Sequence, residues 1–453
     1  MTSFIAKPRE LFDRFDPKYV AFKRRAANFR YPAVKMGSLL SESPEYGAGE
    51  AGVERVDEAT PRYIRITDID EDGELLPGLG MTAADVEPQY FLRDGDLLFA
   101  RSGNTVGKSY LHESERVAYP CFYAGYMIRF RFGEKVLPKY VFAFAQTPYY
   151  HEWVSAIQRS AGQPNINAQE YRSLEIPLPP LPEQRKVVAE LDVAYAAKRA
   201  ADEKATKLLA SIDDMVLNEL GISKLPKPDT SLPSRIFTVP AKEVANATLA
   251  PDHYFDSIDF SKAKYPCERF VERIDIDPPC GLEQITKLVP MEGVSAEWCA
   301  IESIEDISPD ATQGYSTFRG GDVIWARITP CMENGKSAVV EAEPSECFCG
   351  STEFLVFRPK DDKVNPFYLQ SLLHLKRFRE VAAHHFTGTS GHQRVTADFF
   401  RAISIPIPPR PVQDRIASTA SSIRAEARKL KADATAALNA AKRKIEKRIV
   451  DGR

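Results

Sequence analysis

The sequence predicts an α/β protein of the α+β type: two similar globular domains of mixed sheet, separated by two long antiparallel helices and related by pseudo-twofold symmetry. Three observations carry this prediction. A string of anchors occurs twice in the same order, about 226 to 229 residues apart. A Pro-rich knuckle closes each copy, and a Pro- and Gly-free amphipathic run follows each knuckle.

Gly95-Asp96-Leu97-Leu98-Phe99-Ala100-Arg101 returns as Gly321-Asp322-Val323-Ile324-Trp325-Ala326-Arg327. Each copy then reaches a Gly-Lys-Ser, at Gly107-Lys108-Ser109 and Gly335-Lys336-Ser337. Gly162-Gln163 with Tyr171-Arg172 corresponds to Gly391-His392 with Phe400-Arg401, and Ile176-Pro177-Leu178-Pro179-Pro180 to Ile405-Pro406-Ile407-Pro408-Pro409. A period this long is domain duplication, because each unit can bury its own core.

In each copy the Gly-Asp pair reads as a turn feeding a buried strand, Leu97 to Ala100 and Val323 to Ala326. Aromatic and β-branched residues predict further strands at Tyr126 to Phe132 and Glu353 to Phe357. A single helix is expected at Pro138 to Gln158 and its partner at Pro366 to Ala383, each opened by a proline suited to a first turn. From Glu183 to Leu220, and again from Val412 to Val450, apolar residues recur at three- and four-residue steps. Helices of that length reach roughly 55 to 60 Å, and each must lay its apolar stripe on something; the other copy is the nearest candidate. The predicted domains are therefore residues 1–180 and 222–409, with spacer helices at 181–221 and 410–453.

Composition bounds the function. The chain has 453 residues, 43% hydrophobic and 27% charged, enough apolar material for more than one core. A net charge of −3 argues against a protein that simply coats DNA. The basic runs Lys23-Arg24-Arg25, Lys442-Arg443-Lys444 and Lys447-Arg448 read as solvated helix faces. With no long apolar stretch and no apolar signal core after Met1, a cytoplasmic location is expected. The seven cysteines lack zinc-knuckle spacing and are expected to be reduced, mostly buried thiols, and the adjacent His384 and His385 offer no ligand pair, so no metal site is expected.

Two motifs imitate an enzyme. Ser102 to Ser109 resembles a phosphate-binding loop, but Gly103 leaves three residues before Gly107-Lys108 where four are needed, and the second copy has Pro330 in that place. Asp277-Pro278-Pro279-Cys280 resembles an adenine-methylating loop, yet Cys280 cannot stack on a base and the first copy has no counterpart. Clustered carboxylates with a lysine, as a nuclease needs, do not stand out. The competing classes are a nucleotide-binding enzyme using the Gly-Lys-Ser loops and a helical protein–protein adaptor.

The duplicated order resembles the specificity (S) subunit family of type I restriction-modification systems, over essentially the whole chain. The resemblance rests on Gly95 to Gly103, Gly321 to Arg327, and Ile176 to Gln184, with residues 405–413 a second copy that departs at Arg410 and Val412. It implies a non-catalytic subunit that reads a bipartite target in double-stranded DNA, one half per domain, with the helices as a ruler. Two modification (methyltransferase) subunits would bring S-adenosylmethionine, and restriction (motor-nuclease) subunits ATP and Mg2+; the chain itself would hold no cofactor. DNA contacts are expected from the loop after the Gly-Asp strand: Arg101, Ser102, Asn104, Thr105 and Lys108, then Arg327, Thr329, Asn334 and Lys336. A second loop offers Gln163, Asn165 and Asn167, mirrored by His392, Gln393 and Arg394. Asn and Gln can pair with adenine and Arg with guanine, while Lys usually meets phosphate. The repeated Arg101 and Arg327 have a second reading as scaffold residues paired with Asp96 and Asp322, since a base-reading residue has no reason to be identical in both domains.

Overall fold

The computed structural model describes the chain apart from residues 1–15, 26–28, 104, 159–163, 230, 232, 234–235, 241–251, 281–284, 389–391 and 451–453. It divides into two compact units: unit 1 is Met1–Ala200 with Asp433–Arg453, and unit 2 is Ala201–Ala432.

Unit 1 holds a four-stranded antiparallel sheet in the order Glu45–Tyr46, Met127–Phe130, Leu97–Ala100, Ser109–Leu111. A second sheet of four is mixed: Arg62–Ile64 runs parallel to Cys121–Tyr123 and antiparallel to Met81–Thr82. Unit 2 repeats both. Its antiparallel sheet runs Ile274–Ile276, Phe354–Pro359, Val323–Ala326, Ser337–Val339, and its mixed sheet pairs Lys287–Val289 in parallel with Cys347–Gly350. In both copies all four residues of the Gly-Asp strand are buried, which is why the run is apolar without alternation.

The Gly-Asp pair has a double role. Gly95 and Gly321 take φ of +82° and +87°, a left-handed turn that a side chain would strain. The next residue closes that turn, Asp96 Oδ2 accepting from the Arg93 amide and Asp322 Oδ2 from the Arg319 amide, each at 2.9 Å. Each buried carboxylate also takes a bidentate arginine: Arg131 at 2.7 and 3.0 Å, Arg358 at 2.7 and 2.7 Å. The pairing expected with Arg101 and Arg327 is thus overturned. Those arginines lie past the far end of the same strand, whereas Arg131 and Arg358 come from the strand beside it.

The expected single helices are each two. Pro138–Ala145 ends and Pro148–Ile157 begins anew, because Pro148 has no amide to continue the ladder and Thr147 caps the second helix through the Tyr150 amide. In unit 2, Pro366–His374 and Lys376–His384 meet at Leu375, whose extended ψ of 131° breaks the helix without a proline.

The cysteine expectation needs correcting as well. Cys280 and Cys347 form a disulfide, 67 residues apart in sequence. The fold brings the segment after Ile274–Ile276 against the inner strand Cys347–Gly350 of the mixed sheet, a proximity that spacing alone does not reveal. Cys121, Cys299 and Cys349 are buried free thiols, whereas Cys267 is exposed and Cys331 half-buried.

The long helices run Leu181–Glu219 and Arg410–Ile449. In unit 1, Val187 and Leu191 share a core with Leu438, Ile445 and Ile449; Lys444 pairs with Glu190 and Arg448, one turn on, reaches back to Glu183, so the two segments run antiparallel. In unit 2, Ile212, Val216 and Leu220 share a core with Ile416 and Ala420, and Glu219 meets Arg415. Each helix leaves its knuckle on a buried glutamine. Gln184 Oε1 accepts from Leu137 N at 2.9 Å and its amide donates to the carbonyls of Pro179 and Lys135. Gln413 does the same with Asn365 N, Pro408 and Lys363. Among the described residues, no helix is long and apolar enough to cross a membrane.

Candidate nucleic-acid interface

In each unit the fold joins the two predicted loops edge to edge. Arg101 O accepts from Ile166 N at 2.8 Å, Gly103 N donates to Pro164 O at 3.1 Å, and Ser102 bridges Asn165. In unit 2, Arg327 O accepts from Val395 N at 2.9 Å, Thr329 N donates to Gln393 O at 3.0 Å, and Ile328 bridges Arg394. Backbone hydrogen bonds of the same pattern therefore build one rim per unit, on which side chains can differ without disturbing the fold.

The rims differ in chemistry. The Arg101 guanidinium lies over the Tyr46 ring, 4.8 Å from its centroid, and among the described residues its Nε has no hydrogen-bond partner. The Arg101 amide donates to Tyr126 O, and the Tyr126 ring beside it is 67% exposed. Arg327 makes the same backbone bond to Glu353 O, so Glu353 stands where unit 1 has Tyr126. Glu353 holds Arg394 through 2.6, 2.8 and 3.0 Å contacts and lies 3.5 Å from Arg327 Nε. Hydrogen bonding from Arg394, with Arg327 adding to it, keeps the Glu353 carboxyl below its usual range, so it is charged.

Several predicted contacts serve the protein itself. Lys108 Nζ donates to Ile69 O at 3.2 Å and pairs with Glu71, and Lys336 Nζ donates to Met291 O at 2.7 Å. The following serines are buried and accept from Gln146 and Gln370. Both Gly-Lys-Ser segments thus tie the antiparallel sheet to its neighbours. Asn167 caps helix Ala168–Arg172 through the Glu170 amide, and Glu170 returns a bond to the Asn167 amide. Thr329 Oγ1 donates to Glu333 at 2.7 Å. Asn165, Asn334 and His392 are exposed on the rims, and Ser102, Thr105 and Gln393 are half-buried there. Asn104 and Gln163 lie outside the described residues.

Tyr46, Tyr126 and Glu353 were not among the predicted site residues. Aligning the copies on their Gly-Asp anchors would have set Tyr126 opposite Glu353, since the two follow Arg101 and Arg327 by nearly equal distances. Tyr46 gave no such signal, because its strand pairs across more than eighty residues.

Comparison with known proteins matches the same two copies. Residues 84–207 and 293–439 fit the family model described as the type I restriction modification DNA specificity domain. The type I restriction enzyme EcoAI specificity subunit of Escherichia coli is 34% identical over 135 residues, 30% of this chain and 23% of that protein. The EcoKI specificity subunit of Escherichia coli strain K12 is 23% identical over 217 residues, 46% of this chain and 44% of that one. The matched segments thus span less than half the length of these relatives. A chain from a solved structure on complex assembly and conformational transition of the type I R-M system aligns over 93% of this chain and 96% of its own, with 18% identity and a TM-score of 0.46. Because the family model covers more than half of the chain and falls on both repeats, this protein belongs to the type I restriction modification DNA specificity domain family.

Proposed function

We propose that the chain is the DNA-sequence-specificity subunit of a type I restriction-modification assembly, reading one half of a bipartite duplex target with each unit. The observation that carries the reading is the pair of rims: one backbone design, made twice, bearing unlike side chains. Repetition of the frame suits a duplex that presents the same phosphate geometry at both half-sites, and divergence of the side chains suits two different base sequences. Arg101, Ser102, Thr105 and Asn165 are the proposed contacts in unit 1; Arg327, Asn334, His392, Gln393 and Arg394 are those in unit 2. Lys108, Lys336, Thr329 and Asn167 take supporting roles behind them.

The reading assigns reaction chemistry to other chains: two modification subunits carrying S-adenosylmethionine, and restriction subunits using ATP and Mg2+. It places the assembly in the cytoplasm. The tie of Lys108 and Lys336 to backbone carbonyls speaks against the nucleotide-binding alternative. The test is equilibrium binding of the assembled complex to duplex libraries with randomised half-sites and variable spacing, at several salt concentrations. Selection of two short motifs at one preferred spacing is expected, with affinity falling as salt rises. Equal binding to every duplex would sink the proposal.

A further inference from the structure

The Glu353–Arg394 pair differs from two other bidentate arginine pairs of unit 2 in its place and in what it leaves free. Arg358 with Asp322 and Arg377 with Asp256 each involve a buried aspartate, whereas Arg394 stands on the rim, its side chain 35% exposed. A guanidinium carries five N–H donors. Here Nε donates to both Glu353 oxygens, at 3.0 and 2.8 Å, Nη2 donates to Oε1 at 2.6 Å, and Nη1 donates to His392 O at 2.8 Å. Three N–H groups are engaged, leaving one on each terminal nitrogen, both in the guanidinium plane.

The backbone of Arg394 is held too. It lies in the two-residue strand paired with Phe386–Thr387, bridges Ile328, and precedes the Val395 amide that donates to Arg327 O. Position and plane of the free edge are therefore both set before any ligand arrives, which removes much of the ordering cost of a long side chain. Glu353 shares its charge between Arg394 and Arg327, so the three side chains retain a net positive charge that suits a polyanion. Among the described residues unit 1 has no equivalent, since Tyr126 occupies the place of Glu353.

We infer that Glu353 is the positioning residue for base recognition in unit 2: it aims the two free N–H groups of Arg394 at O6 and N7 of a guanine in one half-site. Two coplanar N–H groups match that acceptor pair, the commonest specific contact in the major groove. The inference rests on the DNA-recognition reading above.

The test compares the assembled complex carrying the wild-type chain, Glu353→Gln or Arg394→Lys on a library of split duplexes. Glu353→Gln keeps the shape but weakens the orienting charge, and Arg394→Lys keeps the charge but removes the fork. Both are expected to lose preference for guanine at one position of one half-site, by roughly 5- to 100-fold. The other half-site should stay as in the wild type, as should the salt dependence of Arg394→Lys, which keeps the charge. Uniform weakening over all sequences would mark Arg394 as a phosphate contact or a structural latch and overturn the inference, as would an unchanged profile. If Glu353→Gln failed to assemble, Arg394→Lys alone would decide. Absence of any split-site preference in the wild-type complex would instead overturn the underlying DNA reading.

Discussion

Lys442, on the last turns of the second long helix, donates to Asp72 at 2.7 Å and to Gln146 at 3.1 Å from a side chain only 9% exposed. By sequence Lys442 belongs to a basic run suited to a solvated helix face. Its neighbours Arg443 and Lys444 are exposed, but Lys442 turns inward beside the Tyr195 ring, and Tyr195 itself donates to Asp72 O. Replacing Lys442 by Met would leave Asp72 with Lys198 at 3.6 Å and take from Gln146 Oε1 its donor, and should cost unit 1 about 1–3 kcal/mol. Arg443→Ala should change stability by less than about 0.5 kcal/mol. Denaturant unfolding of the two variants separates them, and equal midpoints would refute the anchor.

Gln184 and Gln413 are 0% exposed and each satisfies one backbone amide and two carbonyls at the point where a long helix meets its knuckle. Loss of either side chain should cost about 1–3 kcal/mol, because buried backbone groups are left unpaired. Glutamate should be worse than alanine, since it would face two carbonyls with a charge. Hydrogen exchange at the Leu137 amide in Gln184→Ala, and at the Asn365 amide in Gln413→Ala, is expected to accelerate. Protection as strong as in the wild type would contradict this.

His374 is neutral and half-buried, against the Cys299 thiol at 3.4 Å. Burial, reinforced by the nearby Arg379 and Arg424, pushes its imidazole down to about 3. As pH falls below the free-histidine value of 6.5, the unfolded chain takes up a proton that the native His374 refuses. Its contribution to stability is thus complete above pH 6.5 and declines from there toward pH 3, at about 1.4 kcal/mol per pH unit. Unfolding free energies of wild type and His374→Gln should converge as the pH is lowered from 7 to 4. Parallel curves would show that His374 does not titrate as described.

The Cys280–Cys347 bond closes a 67-residue stretch of unit 2 that includes most of its mixed sheet. Constraint of the unfolded chain by a loop of that order gives about 2–4 kcal/mol, so reduction or Cys347→Ser should lower the unfolding midpoint of unit 2 and leave unit 1 alone. Mass spectrometry of the alkylated, unreduced protein should find five modified cysteines out of seven. Seven would show the bond absent.

Much of the fold was legible because it rests on local rules repeated twice. The Gly-Asp turn needs a residue tolerant of positive φ followed by a short carboxylate, and an apolar run must follow; those demands surface as Gly-Asp and two branched aliphatic residues at both 95–98 and 321–324. The long helices announced themselves by period and by the missing prolines, and each ended within a residue or two of expectation. Helix breaks were less legible. Pro148 carried the signal in unit 1, but Leu375 breaks its helix by a backbone angle that no residue type advertises. The site was half legible: both loops were found, yet polar letters did not reveal that Lys108 and Asn167 were spent on the protein's own carbonyl and helix cap.

Duplication, helix length and the knuckles were determined by the sequence itself: helices and knuckles show in residues within a few positions of one another, and the duplication is the same local runs met twice. Tertiary structure alone decided which charges meet. Asp96 chose Arg131 over Arg101, Cys280 met Cys347, and Glu353 took Arg394, because strand pairing and loop closure set those distances across dozens of residues. Charge and thiol chemistry fall off within a few ångströms, so their partners are written in space and not in the order of the chain.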